Sequence, residues 1–89
     1  MVGLELESRR SSIQLVAEIL RLGEASKIEI MYNVNLSHRQ LQKYVHLLSE
    51  QDLLNKVVTN EGRIRYRVTP KGNVLLKDVD TVLEMLRAT

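Results

Sequence analysis

Arg63-Ile-Arg-Tyr-Arg-Val-Thr-Pro-Lys-Gly72 alternates arginine with an apolar residue for three periods before it reaches a proline. A period of two is that of a strand. Successive strand side chains point to opposite faces, so Arg63, Arg65 and Arg67 share one face while Ile64, Tyr66 and Val68 share the other. The apolar face joins a core, and the cationic face offers guanidinium groups to an anionic partner. Upstream, Leu54 to Thr59 reads as a strand and Asn60-Glu-Gly62 as a tight turn, which makes Arg63 to Val68 the returning strand of a hairpin. Downstream, Thr69-Pro70 opens a helix that runs to about Arg87, with threonine as N-cap and proline at the first position, where its missing N–H costs nothing.

Helical patterns fill the chain before the hairpin. Ile13, Val16, Ala17 and Leu20 follow the i, i+3, i+4, i+7 rule and place a first helix over Arg10 to Leu22, with Ser8 or Ser11 as its cap and Gly23 as its stop. Ser26 and Glu29 have capping-box spacing, which predicts a short second helix from Lys27 to about Asn33, ended by the turn chemistry of Asn33-Val-Asn35. Ser37 caps a third helix to about Gln51. At 100° per residue, Leu41, Tyr44, Val45, Leu47 and Leu48 fall on one arc, and Arg39, Gln42, Lys43 and His46 on the opposite one.

Composition bounds the class. With 89 residues, 44% hydrophobic and 27% charged, the chain suits one small globular domain, expected to span residues 1–89. No cysteine is present, which excludes disulfides and thiolate metal sites and fits a reducing cytoplasm. No apolar run approaches the roughly 20 residues of a membrane span, and the start Met1-Val-Gly-Leu-Glu-Leu-Glu7 lacks the order of a signal peptide, so no membrane association is expected. The first eight residues are expected either to fray or to extend the first helix. Net charge is only +2, but Lys56, Arg63, Arg65, Arg67 and Lys71 against Glu61 give +4 between Leu54 and Gly72, leaving −2 for the rest. A basic patch on a nearly neutral body is an electrostatic footprint for phosphates, whereas the plainer reading is a sheet edge guarded by charge.

Helix, helix, turn, helix, hairpin, helix is the order of a winged helix-turn-helix, an α+β fold of three helices, a two-stranded β-hairpin wing and a C-terminal helix. A helix with a polar, partly basic face fits the major groove of double-stranded DNA, while an adjoining hairpin lays cations along the neighbouring backbone. Arg39 and Gln42 suit bidentate contacts to guanine and adenine, Lys43 suits a phosphate, and His46 can donate in either role. Ser37 and His38 open that helix and complete its candidate set. On the hairpin, Lys56, Arg63 and Arg65 are the expected contacts, with Arg67 closer to the body of the domain. Any solvated helix can present such a face, and it is the combination of parts that carries the reading.

Catalytic and metal chemistry find no footing. His38 and His46 are eight residues apart, too far for an i, i+4 zinc pair, and the four glycines are too scattered for a phosphate loop. No enzyme activity and no cofactor are expected. Tyr32, Tyr44 and Tyr66, the only aromatics, read as core residues with wet hydroxyls.

Lys27-Ile-Glu-Ile-Met-Tyr-Asn-Val-Asn-Leu-Ser37, then Leu41, Tyr44, Leu48 and Leu53-Leu54, and later Tyr66-Arg-Val-Thr-Pro-Lys-Gly72, resemble the archaeal winged helix-turn-helix regulators. That family is similar in turn to a small archaeal chromatin-type protein that dimerises through a C-terminal antiparallel coiled coil. The resemblance covers roughly Ser11 to Leu76 and implies a cofactor-free DNA-binding regulator or chromatin protein. Asp52 stands where that family usually has a glycine, and His38 where it has a tyrosine.

The terminal helix, residues 70–88, carries more apolar surface than one face of a small domain requires. Leu76, Val79, Leu83 and Leu86 repeat at 3, 4, 3, and with Leu75 and Val82 they form the expected homodimer contact. The plainer alternative is that this helix closes its own core. For the whole chain, the alternative to a DNA-binding homodimer is a winged-helix protein–protein interaction module within a larger assembly.

Overall fold

The computed structural model describes residues 11–88. Arg10, where the first helix was expected to start, and the first eight residues lie outside the described residues. The elements run α1 Ser12–Arg21, β1 Glu24–Ala25, α2 Lys27–Val34, α3 His38–Glu50, β2 Leu54–Val58, β3 Ile64–Val68 and α4 Pro70–Ala88. This is the expected winged helix-turn-helix, with one addition. The sheet has three strands in the order β1-β3-β2, both pairings antiparallel, because the two-residue strand after α1 pairs Glu24 with Arg67 and Ala25 with Tyr66. A strand of two residues has no alternation to read, so only the arrival of β3 beside it defines it.

Local chemistry fixes the helix ends. Ser11, Ser26 and Ser37 each accept a hydrogen bond from the backbone N–H three residues on, and Gln14, Glu29 and Gln40 each reach back to accept from the cap N–H. These reciprocal pairs satisfy amide donors that a helix start leaves open. Asn35 closes α2 in the left-handed conformation, at φ 57°, which positions the turn into α3. Asp52 does the same after α3 at φ 60°, with Leu53 N–H donating to Leu48 C=O and Asp52 N–H to Ser49 C=O. The position where the resembling family usually carries glycine is therefore left-handed in this chain.

Leu20, Ile30, Val34 and Leu48 are the largest fully buried side chains. Around them lie Leu15, Ile19, Leu41, Tyr44, Val45, Leu54 and Tyr66, drawn from α1, α3 and the sheet. The stripe predicted for α1 is corrected here: Leu15 and Ile19 are buried, whereas Ile13 is 58% exposed. Since α1 packs on both α2 and α4, its burial spreads beyond one face and the simple periodicity fails. Tyr32 is a second correction. It is 76% exposed on α2 and does not join Tyr44 and Tyr66 in the core.

The hairpin is anchored to the rest at Thr69. Its hydroxyl donates to Asp52 C=O at 2.7 Å and accepts from Gly72 N–H at 2.9 Å, so one buried side chain caps α4 and ties it to the end of α3. Immediately beyond, Gly72 passes so close to Leu53 that a Cβ at this position would lie 2.5 Å from the Leu53 carbonyl oxygen. No helix among the described residues is long and apolar enough to cross a membrane.

Candidate nucleic-acid interface

Helix α3 turns Leu41, Tyr44, Val45 and Leu48 into the core and leaves His38, Arg39, Gln42, Lys43 and His46 exposed on the outside. Ser37, the N-cap, has its hydroxyl occupied by Gln40 N–H. Lys43 Nζ lies 5.5 Å from the Tyr44 ring centroid, and His46 Nε2 is 3.6 Å from Glu50 one turn on. Leu47 departs from the predicted arc. At 43% exposure it sits at the rim of an apolar groove with Ile13, Val16, Leu75 and Val79.

In the hairpin, Leu54 pairs with Val68, Lys56 with Tyr66, and Val58 with Ile64, which fixes these six on one face. Asn55 and Val57 share the opposite face with Arg67 and Arg65. Lys56 thus projects from the face opposite the arginines. The register, invisible to the alternation of either strand alone, decides this.

The three arginines have different fates. Arg65 Nε donates to Glu24 at 2.9 Å, and its Nη1 lies 3.0 Å from Glu29, the carboxylate that also closes the capping box of α2. Arg67 Nε donates to the other oxygen of Glu24 at 2.8 Å. The hydrogen bonds from Arg67 and Arg65 hold the Glu24 carboxyl below its ordinary range. The Ser26 backbone N–H and the charge of Arg65 do the same for Glu29. Glu24 in turn pushes Arg65 up. Arg65 and Arg67 are therefore engaged within the fold, bracing the wing against β1 and α2. Arg63 has no carboxylate partner among the described residues, nor do Arg39, Lys43 and Lys56.

Between α3 and the wing runs a cleft lined by Lys27, Gln42, His46, Ser49, Lys56 and Tyr66. Lys27 is the member that sequence reasoning missed. Its Nζ donates to Gln42 Oε1 at 3.2 Å and stands 5.9 Å from the Tyr66 ring centroid. In the sequence it is only the residue after a cap, and the crossing of α2 over α3 is what brings it to Gln42.

The residues expected at a dimer contact are divided by the fold. Leu75 and Leu76 pack against the domain's own core, Val79 and Leu83 are half-buried, and Val82 and Leu86 are 54% and 66% exposed. Leu83 lies beside Ala17 of α1, where Arg21 is paired with Asp80. One side of the 3, 4, 3 repeat is thus covered by α1, while Val82, Met85 and Leu86 are exposed, and Leu75 and Val79 line the groove with Ile13 and Leu47.

Comparison with known proteins agrees with this architecture. The crystal structure of Sso10a-2, a DNA-binding protein from Sulfolobus solfataricus, superposes with a TM-score of 0.79 at 22% identity, over 89% of this chain and 84% of that one. ZitR of Lactococcus lactis, solved as a cysteine-to-serine mutant in complex with DNA, gives 0.66 at 23% identity, over 91% and 57%. An uncharacterised protein of the archaeon Methanocaldococcus jannaschii is 30% identical over 81 residues, 88% of this chain, and the chain spans 36% of that relative's length. A family model described as winged helix-turn-helix matches residues 9–87. The chain belongs to the winged helix-turn-helix family.

Proposed function

We propose that this chain is a homodimeric, non-enzymatic protein of the cytoplasm that binds double-stranded DNA, as a transcriptional regulator or a chromatin-type protein. One observation carries the reading: the cations sort by partner. Arg21, Arg65, Arg67 and Arg87 are neutralised by carboxylates of the same chain, whereas Arg39 and Lys43 on α3 and Lys56 and Arg63 on the wing are not; Lys27 and Lys71 bond the neutral oxygens of Gln42 and Gln51, and Lys77 on α4 has no carboxylate partner among the described residues either. Four of the cations without a carboxylate thus gather on α3 and the wing, where an outside anion can meet them. That ZitR, which shares the fold, is solved in complex with DNA supports the reading. In it α3 enters the major groove and the wing lies on the adjoining backbone. Ser37, His38, Gln42 and His46 complete the face presented to the groove. Val82 and Leu86, with the half-buried Val79 and Leu83, are the core of the dimer contact, and Ile13 and Leu47 flank it.

The test is a fluorescence anisotropy titration of duplex DNA at several salt concentrations. Four phosphates neutralised per protomer give a dimer slope of log K against log salt of about −7. A slope near zero refutes the reading, and retention of a protein partner without duplex affinity would replace it with an interaction module.

A further inference from the structure

We infer that Lys27 is a positioning residue for base recognition: it locks the Gln42 amide so that α3 presents a hydrogen-bond donor, and not a donor–acceptor pair, to the major groove. The inference rests on the DNA-binding reading above and refines one of its contacts. Glutamine suits adenine because its oxygen accepts from the N6 amino group while its nitrogen donates to N7. Here that oxygen is already in use. Lys27 Nζ lies 3.2 Å from Gln42 Oε1, and an ammonium has three donors and no acceptor, so the contact also settles which end of the amide is oxygen.

Lys27 is itself held in place. It follows the Ser26 cap at the start of α2, is only partly exposed, and its ammonium stands 5.9 Å from the ring centroid of the buried Tyr66. The second lone pair of Oε1 does not restore the adenine contact, because a base amino group approaching it would meet the field of an adjacent ammonium. What remains for the groove is the Gln42 amino group. Its partners are acceptors: N7 and O6 of guanine, N7 of adenine and O4 of thymine, with the cytosine amino group disfavoured. The sequence alone, with Gln42 on an outer helix face, points to adenine.

The experiment selects duplexes carrying a randomised window with the wild-type protein and with Lys27→Met, Lys27→Arg and Gln42→Ala. The position that Gln42→Ala levels is the one read by Gln42. There the wild type and Lys27→Arg are expected to enrich guanine, adenine and thymine over cytosine. Lys27→Met, with the amide oxygen released, is expected to shift to adenine over guanine by about tenfold. A merely structural role for Lys27 would lower affinity without re-ranking bases. The inference is overturned if Lys27→Met keeps the wild-type ranking, or if no position responds to Gln42→Ala. It is also overturned if Lys27→Met weakens every sequence alike and flattens the salt slope by about 0.9 per protomer, which would make Lys27 a phosphate contact. In all three of these outcomes the protein still binds DNA. Loss of binding to every duplex by the wild type overturns the functional reading instead, so the two failures are distinguishable.

Discussion

Replacing Gly72 by alanine tests the junction that sets the direction of α4. In an ordinary helix the change is favourable by about 1 kcal/mol, since alanine loses less backbone entropy on folding. Here the added Cβ would lie 2.5 Å from the Leu53 carbonyl oxygen and 2.7 Å from a Val68 methyl. The methyl can rotate away, but the carbonyl is backbone. It also accepts from Thr69 N–H at 3.1 Å, while the Thr69 hydroxyl grips Asp52 C=O at 2.7 Å, so retreat by Leu53 strains the capped start of α4. Overpacking of this kind costs about 1–3 kcal/mol, and a weakened hydrogen bond adds about 1 kcal/mol. After the helix-propensity gain, Gly72→Ala is expected to destabilise the domain by about 1–3 kcal/mol. For a chain of this size that lowers the melting temperature by roughly 5–20 °C, read by circular dichroism at fixed protein concentration. Unchanged or raised stability would show that α4 slides freely over Leu53, and the account of this junction would be wrong.

The wing arginines give a second contrast. Arg63→Ala should flatten the dimer's salt slope by about 2, one phosphate per protomer, whereas Arg65→Ala should leave the slope unchanged while loosening β3 from α2; equal slope changes would refute the division. Val82→Glu with Leu86→Glu should give monomers by light scattering and leave the circular dichroism of the domain intact, and a persisting dimer would move the contact elsewhere. Acidification should loosen the β1–β3 pairing. The Glu24 and Glu29 carboxyls are held below their ordinary range by Arg67, Arg65 and the Ser26 N–H, so their contribution is present above the unfolded carboxyl value and is lost as pH falls through the lowered folded ones. Hydrogen exchange at the β1 and β3 amides follows this, and Glu24→Gln should flatten it; an identical acid profile in that variant would refute the attribution.

The helices and the hairpin were legible because their determinants are local. Ser26-x-x-Glu29 and Ser37 mark helix starts wherever the chain goes, since a cap bonds residues three apart. Thr69-Pro70 and the Arg/apolar alternation are local in the same way. Where reading failed, a distant neighbour was responsible. Ile13 looks like core but lies beside a groove, Tyr32 looks like core but faces outward, and β1 exists only because Val68 N–H reaches back to Gly23 C=O at 2.7 Å and Arg67 arrives opposite Glu24.

The candidate site divides on the same line. That α3 carries Arg39, Gln42, Lys43 and His46 on its outer arc follows from 3.6 residues per turn, and that Arg63, Arg65 and Arg67 share a face follows from the pleat. Which of these charges remain available does not follow. Arg65 is tied to Glu24 across 41 residues of chain, Arg67 to the same carboxylate across 43, and Lys27 to Gln42 across 15. The amino-acid sequence by itself determined the order of elements, their caps and the two polar faces, because each is written in bonds between residues a turn or a pleat apart. Only the tertiary structure decided which cations are neutralised, which glutamine atom meets Lys27 and which leucines α1 has already covered, because those depend on where separate elements cross.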